Sequence, residues 1–134
     1  MKTIDILKTN SIANEINILV STCHGAASDA GWWTDLTTGE STIHKPHSVC
    51  EKLMLIVSEV AEAMEGHRKN LNDDKLSHRK MIEVELADAI IRIFDLAGAL
   101  KLDLGGAFVE KFEFNQTRID HKIENRLAEG GKKY

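Results

Sequence analysis

The sequence predicts an all-α fold, a helical bundle of four to five helices completed by tight dimerisation, and three observations lead there. Apolar residues recur at intervals of three and four along several stretches. The chain holds a single Pro, and Ala, Leu, Glu and Lys are plentiful while alternating β-branched runs are few. A length of 134 residues, 43% hydrophobic and 28% charged, fits one globular domain over 1–134 and argues against disorder, a collagen-like chain or a coiled-coil rod.

The first amphipathic stretch, from about Ser11 to His24, puts Ile12, Ile16, Leu19, Val20 and Cys23 on one stripe. Beside it Asn14, Asn17, Ser21 and His24 form a second, polar row, either solvated or facing a ligand. From Gly25 to Pro46 no periodicity is sustained, so a long loop is expected, and loops of that length in small domains tend to be functional. Trp32 and Trp33 lie inside it; one should cover the core, and the other is available to stack on a base.

Ser48 followed by Glu51 reads as a capping box opening a helix from Val49 to about His67. Leu53, Ile56, Val57, Val60, Ala61 and Met64 form its apolar face, Leu55 lies off that face, and such a surplus of apolar surface points to a partner subunit. After Gly66 and the polar run RKNLNDDKLS, Ser77 is the expected cap of a third helix. There Ile82, Leu86, Ala89, Ile90, Ile93, Leu96, Ala97 and Leu100 make a broad apolar face. Asp103 should cap a fourth helix, Leu104 to about Arg118, and Gly130–Gly131 should end a short helix after Asp120.

A formal net charge of −4 and the lack of a sustained basic stripe oppose nucleic acid as a partner. Basic residues nevertheless gather in 111–134, a split that suits a metal plus a phosphate ligand. Cys23 and Cys50 are too few for a disulfide scaffold and have no zinc-ligand spacing; they should be reduced and packed. The opening MKTIDILKTN has no apolar region of a signal peptide, and no segment approaches the roughly 18 apolar residues of a membrane span. No membrane partner and a cytoplasmic location are therefore expected.

The chemistry lies in two repeated spacings. Glu59 and Glu62 are neighbours on a face of the second helix that points away from its apolar stripe, and Glu85 and Asp88 repeat that spacing on the third, beside its apolar face. An antiparallel pairing of these helices would converge four carboxylates, which repel unless cations neutralise them. Hard divalent cations take oxygen ligands, and Mg²⁺ is commonly held by a few carboxylates, waters and phosphates. A di-iron bundle would need Glu-x-x-His pairs, and none of the six histidines follows a Glu or Asp at that spacing. Lys111, Asn115 and Arg118, at i, i+4 and i+7, add two cations and an amide suited to outer phosphates.

Together, Glu59-x-x-Glu62, Glu85-x-x-Asp88 and the row Lys111, Asn115, Arg118 make the chain resemble the MazG-like all-α nucleoside triphosphate pyrophosphohydrolases. The phrases GWWTD, EKLMLIVSEVAEAMEGHRK, ELADAIIRIFDLAG, FNQTRIDH and GGKKY are similar to those of short, often phage-encoded members. The resemblance covers most of the chain from Gly31 and implies hydrolysis of a (d)NTP to the monophosphate and pyrophosphate in nucleotide-pool control. It also implies Glu59, Glu62, Glu85 and Asp88 as Mg²⁺ ligands, with Mn²⁺ as a substitute, and homodimers or homotetramers. For a phage member the location would be the host cytoplasm. One departure is Ser58, where many relatives carry a further Glu.

The expected mechanism has Glu59 or Glu62 orient a metal-activated water, with Lys111 and Arg118 meeting the charge on the leaving pyrophosphate. For the nucleoside, Asn14, Asn17, His24 and Trp33 are the candidate binding residues, and the substrate leans to a purine, such as dGTP or GTP, or to (d)NTPs broadly. Alternatives are dUTP, dCTP or phosphoribosyl-ATP as substrate, or a non-catalytic helical interaction module.

Overall fold

The computed structural model describes residues 6–134, with side chains from Thr9 onward. Residues 1–5, part of the segment read as lacking a signal-peptide region, lie outside the described residues. The fold is all-helical: α1 (Ile6–Asp29), α2 (Ser48–Arg68), α3 (Met81–Ala99), α4 (Leu104–Thr117), a short 3₁₀ turn (Ile119–His121) and α5 (Ile123–Leu127). Among the described residues no helix is long and apolar enough to cross a membrane. The chain forms two compact units, Ile18–Leu102 and, with the chain up to Asn17, Asp103–Tyr134.

α1 is longer than its periodic stretch at both ends. Ser11, at the expected start, lies within the helix and donates to Glu15 Oε1 at 2.9 Å. The helix ends where Gly31 takes φ +80°, with Trp32 N–H bonded to Ala27 O and Gly31 N–H to Ser28 O. That pair of bonds closes the last turn on a residue without a Cβ, which is why the helix runs into the expected loop.

What remains of the loop is ordered. Asp35 N–H bonds to Glu40 O, Asp35 Oδ1 accepts from the Thr37 and Thr38 amides, and Lys45 Nζ reaches Asp35 Oδ2 at 2.6 Å. The Lys45 contact, then the two amides, hold the Asp35 carboxyl below its ordinary range. The expected capping box is not formed: His47 is the N-cap of α2, without a side-chain bond, and Ser48 Oγ donates to Thr42 O at 2.6 Å. Ser48 thus ties the loop down. Ser77 does not cap α3 either; Lys80 holds that place, and the Ser77 carbonyl accepts from Asn72 Nδ2. Asp103 does cap α4, accepting from Gly106 N–H at 3.0 Å.

α2 and α3 pack antiparallel. Gly66, near the end of α2, lies on Met81 at the start of α3, where an added Cβ would come within 2.8 Å of Met81 Cβ. At the other end Val49 and Ile56 pack with Trp33, Leu96 and Ala99. The face of α2 turned inward carries Ile56, Glu59, Ala63 and Gly66, and the expected apolar face is largely outside, with Leu53, Val57, Val60 and Met64 exposed. On α3, Ala89, Leu96 and Ala97 are buried as expected, whereas Leu86, Ile90 and Ile93 are exposed. Small residues in the seam let the two helices approach closely, and the large side chains are left facing out.

Both cysteines are free, but only Cys23 is partly packed; Cys50, expected to be packed, is exposed. Two glycines test the close approaches. Gly98 faces His24 so tightly that a Cβ would collide with it, whereas Gly25 has open space around it. Gly25→Ala should stabilise the fold by about 0.5–1 kcal/mol through helix propensity. Gly98→Ala should destabilise it by about 1–3 kcal/mol through overpacking. Urea unfolding of the two variants measures both signs.

Candidate active site

On α3, Glu85, Asp88, Arg92 and Asp95 follow one another at +3, +4 and +3, a polar row on one side of the helix. The antiparallel pairing sets Glu59 of α2 against this row. Arg92 Nε donates to Glu59 Oε1 at 2.6 Å. One oxygen each from Glu59, Glu85 and Asp88 lie within 4.8 Å of one another. Glu59 and Glu85 are only 7% and 8% exposed, while Asp88 is open to solvent.

The crowding shows in the acidity. Burial, a hydrogen bond with Glu59 and the charges of Glu62, Glu59 and Asp88 raise the Glu85 carboxyl from 4.5 to about 7. Glu62, expected as a fourth ligand, is exposed and outside the triad, yet close enough for its charge to act on Glu85. Of the α2 pair only Glu59 lies on the buried side, because the apolar stripe that both residues point away from is the exposed one.

A second cluster adjoins this one. Asp95 Oδ1 accepts from Trp33 Nε1 at 2.7 Å and from His24 Nδ1 at 2.9 Å, and the His24 and Trp33 rings meet edge to face at 6.0 Å. Lys52 Nζ lies 4.3 Å from the centre of the Trp33 ring and donates to Trp32 O at 3.3 Å. Trp33 is 3% exposed with Lys52 on its face, so the residue expected to bind substrate belongs to the core. Trp32, at 71% exposure, is the free indole. A cavity of about 620 Å³ opens here, lined by Trp32, Lys52, Leu55, Ile91 and Asp95, and it shares Asp88 and Arg92 with the carboxylate group.

The other expected binding residues belong to the second unit. Asn14 is exposed. Asn17 is a structural clamp: its Nδ2 donates to Asp103 Oδ1 and its Oδ1 accepts from Gly105 N–H. Lys111 stands over the Phe114 ring at 4.9 Å, and Asn115 Oδ1 is buried without a partner. Arg118 sits past the end of α4 in extended conformation and grips Asp120 with Nε and Nη2 at 2.9 and 2.5 Å. The expected row of three phosphate donors is thereby broken, because leaving the helix turns Arg118 onto a neighbouring carboxylate.

Comparison of the chain with protein-family models, with curated proteins and with solved structures gave no match. The site therefore stands on its own geometry. Arg92, Asp95 and Lys52 are the residues that periodicity passed over. Their signal was present: Arg92 and Asp95 extend the Glu85, Asp88 spacing along α3, and Lys52 precedes Glu59 by two turns on α2.

The Glu85 shift makes stability depend on pH. Its folded value, about 7, lies above the ordinary 4.5, so the folded state holds the proton more tightly. The resulting stability is full below about 4.5 and is lost as pH rises through about 7. In a chelator-containing buffer the wild-type protein should lose more melting temperature between pH 5 and pH 8 than Glu85→Gln does. Equal slopes for the two proteins would contradict the assignment.

Proposed function

We propose that this chain is a divalent-cation-dependent hydrolase that splits nucleoside triphosphates into the monophosphate and pyrophosphate. The observation that carries the reading is the partly buried group Glu59, Glu85 and Asp88, with its raised Glu85 carboxyl. Like charges out of water are costly unless paired, and here one guanidinium, Arg92, is paired with one of the three. The donor set is all oxygen, which suits Mg²⁺ or Mn²⁺. Its spread, within 4.8 Å, is close to the roughly 4.2 Å across an octahedral Mg²⁺ shell.

Glu59, Glu85 and Asp88 would hold the cation. When bound, it supplies charge neutralisation for the triphosphate and lowers the pKa of water. Glu62, exposed and outside the group, is the carboxylate left to take the proton from the attacking water. The water oxygen adds to the α-phosphorus, the α–β bridging P–O bond breaks, and its electron pair leaves with pyrophosphate. Arg92, which lines the cavity with Asp88 and reaches the carboxylate group, is a cation of this unit placed to bind phosphate oxygens. Ser58 plays no part as a base, since its hydroxyl donates to Leu55 O at 2.7 Å.

The active form in this reading is a homodimer or homotetramer. Leu53, Val57, Val60 and Met64 follow one another at i, i+4, i+7 and i+11, and Leu86, Ile90 and Ile93 do so at i, i+4 and i+7. All are exposed, Val57 to 55%, and among the described residues no large side chain is fully buried. Two neighbouring helices with free apolar stripes match half of a four-helix bundle, and a second copy supplies the same two stripes by symmetry.

Pyrophosphate release from a panel of NTPs and dNTPs, with and without Mg²⁺, tests the function; no Mg²⁺-dependent release from any of them retires it. Glu62→Gln should lower turnover by about 10²- to 10⁴-fold while keeping the rise in melting temperature that Mg²⁺ causes. Asp88→Asn should lose both. For the assembly, light scattering should give two or four times 14.9 kDa for the wild type and a lower multiple for Val57→Glu/Val60→Glu. A wild-type mass of one chain would remove the partner subunit.

A further inference from the structure

We infer that the cavity beside the carboxylates is a guanine pocket, in which Asp95 and Lys52 read the base edge and Trp32 covers its face. The inference rests on the nucleotide reading above and adds to it the base and the residues that select it. At about 620 Å³ the cavity is within the roughly 300–1,000 Å³ usual for small-molecule sites. Ala26, Ala27, Trp32, Leu55 and Ile91 give it apolar walls, and Lys52, Asp88, Arg92 and Asp95 are the charged groups that can orient a ligand. An indole 71% exposed at the mouth, beside one that is 3% exposed, leaves a large flat apolar surface that a planar ring can cover.

Asp95 sets the donor pattern that fits. It is 8% exposed, yet it lines the cavity. Trp33 and His24 both donate to Oδ1, which fixes the carboxylate, and among the described residues no hydrogen bond reaches Oδ2. An ionised carboxylate only accepts, so Oδ2 calls for N–H groups on the ligand. Lys52 only donates, and its ammonium has three protons for one bond to Trp32 O. An acceptor and a donor in one cavity match the guanine edge, where O6 accepts and N1–H and N2–H donate side by side. Adenine and cytosine reverse that order, placing an amino group at Lys52 and a bare ring nitrogen at Asp95. Uracil and thymine have one N–H flanked by carbonyls, one of which would meet the carboxylate.

Two further observations agree. Burial, and then the negative charge of Asp95, raise the Cys23 thiol, so this neighbour stays neutral and does not compete as an anion. Asp88 and Arg92 belong both to the cavity wall and to the carboxylate group, so one ligand can fill the cavity and present its phosphates to that group.

The test is kcat/KM for pyrophosphate release from GTP, ITP, XTP, ATP, CTP and UTP by the wild type and by Asp95→Asn, with Mg²⁺. For the wild type GTP should lead, and ITP, which lacks only the 2-amino group, should fall about 10-fold. ATP and CTP should fall by about 100-fold or more, because they leave buried polar groups unpaired. Asp95→Asn keeps an oxygen for Trp33 and His24 and replaces Oδ2 by an N–H donor, which suits the O2 carbonyl of xanthine. It should therefore reverse the preference from GTP to XTP, an outcome that a merely structural Asp95 would not give. Equal use of GTP and ATP by the wild type, or an equal loss on every base in Asp95→Asn, overturns the pocket and leaves the hydrolase standing. If the wild type hydrolyses nothing, the hydrolase reading fails, and calorimetry with GMP, IMP and AMP decides the pocket: GMP bound above the others supports it, and no such preference overturns it.

Discussion

Glu59 and Glu85 lie buried between α2 and α3, and among the described residues the guanidinium that meets them is that of Arg92, bonded to Glu59 at 2.6 Å. Much of the unit from Ile18 to Leu102 follows from that arrangement. Carboxylates in a helix seam demand short neighbours, and the seam supplies Ala63, Gly66 and Ala89. Large apolar side chains are displaced from it, so Leu53, Val57, Val60 and Met64 on one helix, and Leu86, Ile90 and Ile93 on the other, face outward. The charge is partly relieved by holding a proton on Glu85, whose carboxyl rises to about 7. The polar interior and the apolar exterior are thus two sides of one constraint.

A second constraint holds the loop between α1 and α2. Trp33 drives into the core against Leu96 and Ala99, and its indole N–H ends on Asp95. That anchor fixes Trp32 beside the cavity, while Lys45 on Asp35 and Ser48 on Thr42 O keep the rest of the loop from fraying. His24 reaches the same Asp95 oxygen because Gly98 lets α1 and α3 approach at that point. Asp95 is therefore both a strut and a wall of the cavity, and the carboxylate needs both roles to present one oxygen in a fixed direction.

The helices were legible in the sequence because helical periodicity is a local property, and the Asp103 cap was legible because its donor is three residues away. The repeated Glu-x-x-Glu and Glu-x-x-Asp spacing placed three of the four acidic residues correctly in one group. What periodicity could not convey is which face of α2 turns inward. An apolar stripe is normally taken as the buried face, and here the face with Glu59 is buried instead. Ser48 and Ser77 had the right residue type for caps, but the Ser48 hydroxyl donates to Thr42 O, and α3 starts at Met81, three residues beyond the place Ser77 could cap. Arg118 had the right spacing on α4, yet the helix ends one residue short of it and Asp120 takes its guanidinium. Asp95 continues the spacing of Glu85, Asp88 and Arg92, but it stands between Phe94 and Leu96, where an acidic group reads as an interruption and not as a site.

The proposed function requires that Glu59, Glu85 and Asp88 bind a cation and are not merely a strained acidic seam. Anomalous diffraction from crystals grown with Mn²⁺ tests it most directly. A cation site predicts a peak among the three carboxylates, with the Arg92 guanidinium moved off Glu59 Oε1. An intact Arg92–Glu59 pair and no peak at the three carboxylates, with Mn²⁺ at millimolar concentration, would contradict it.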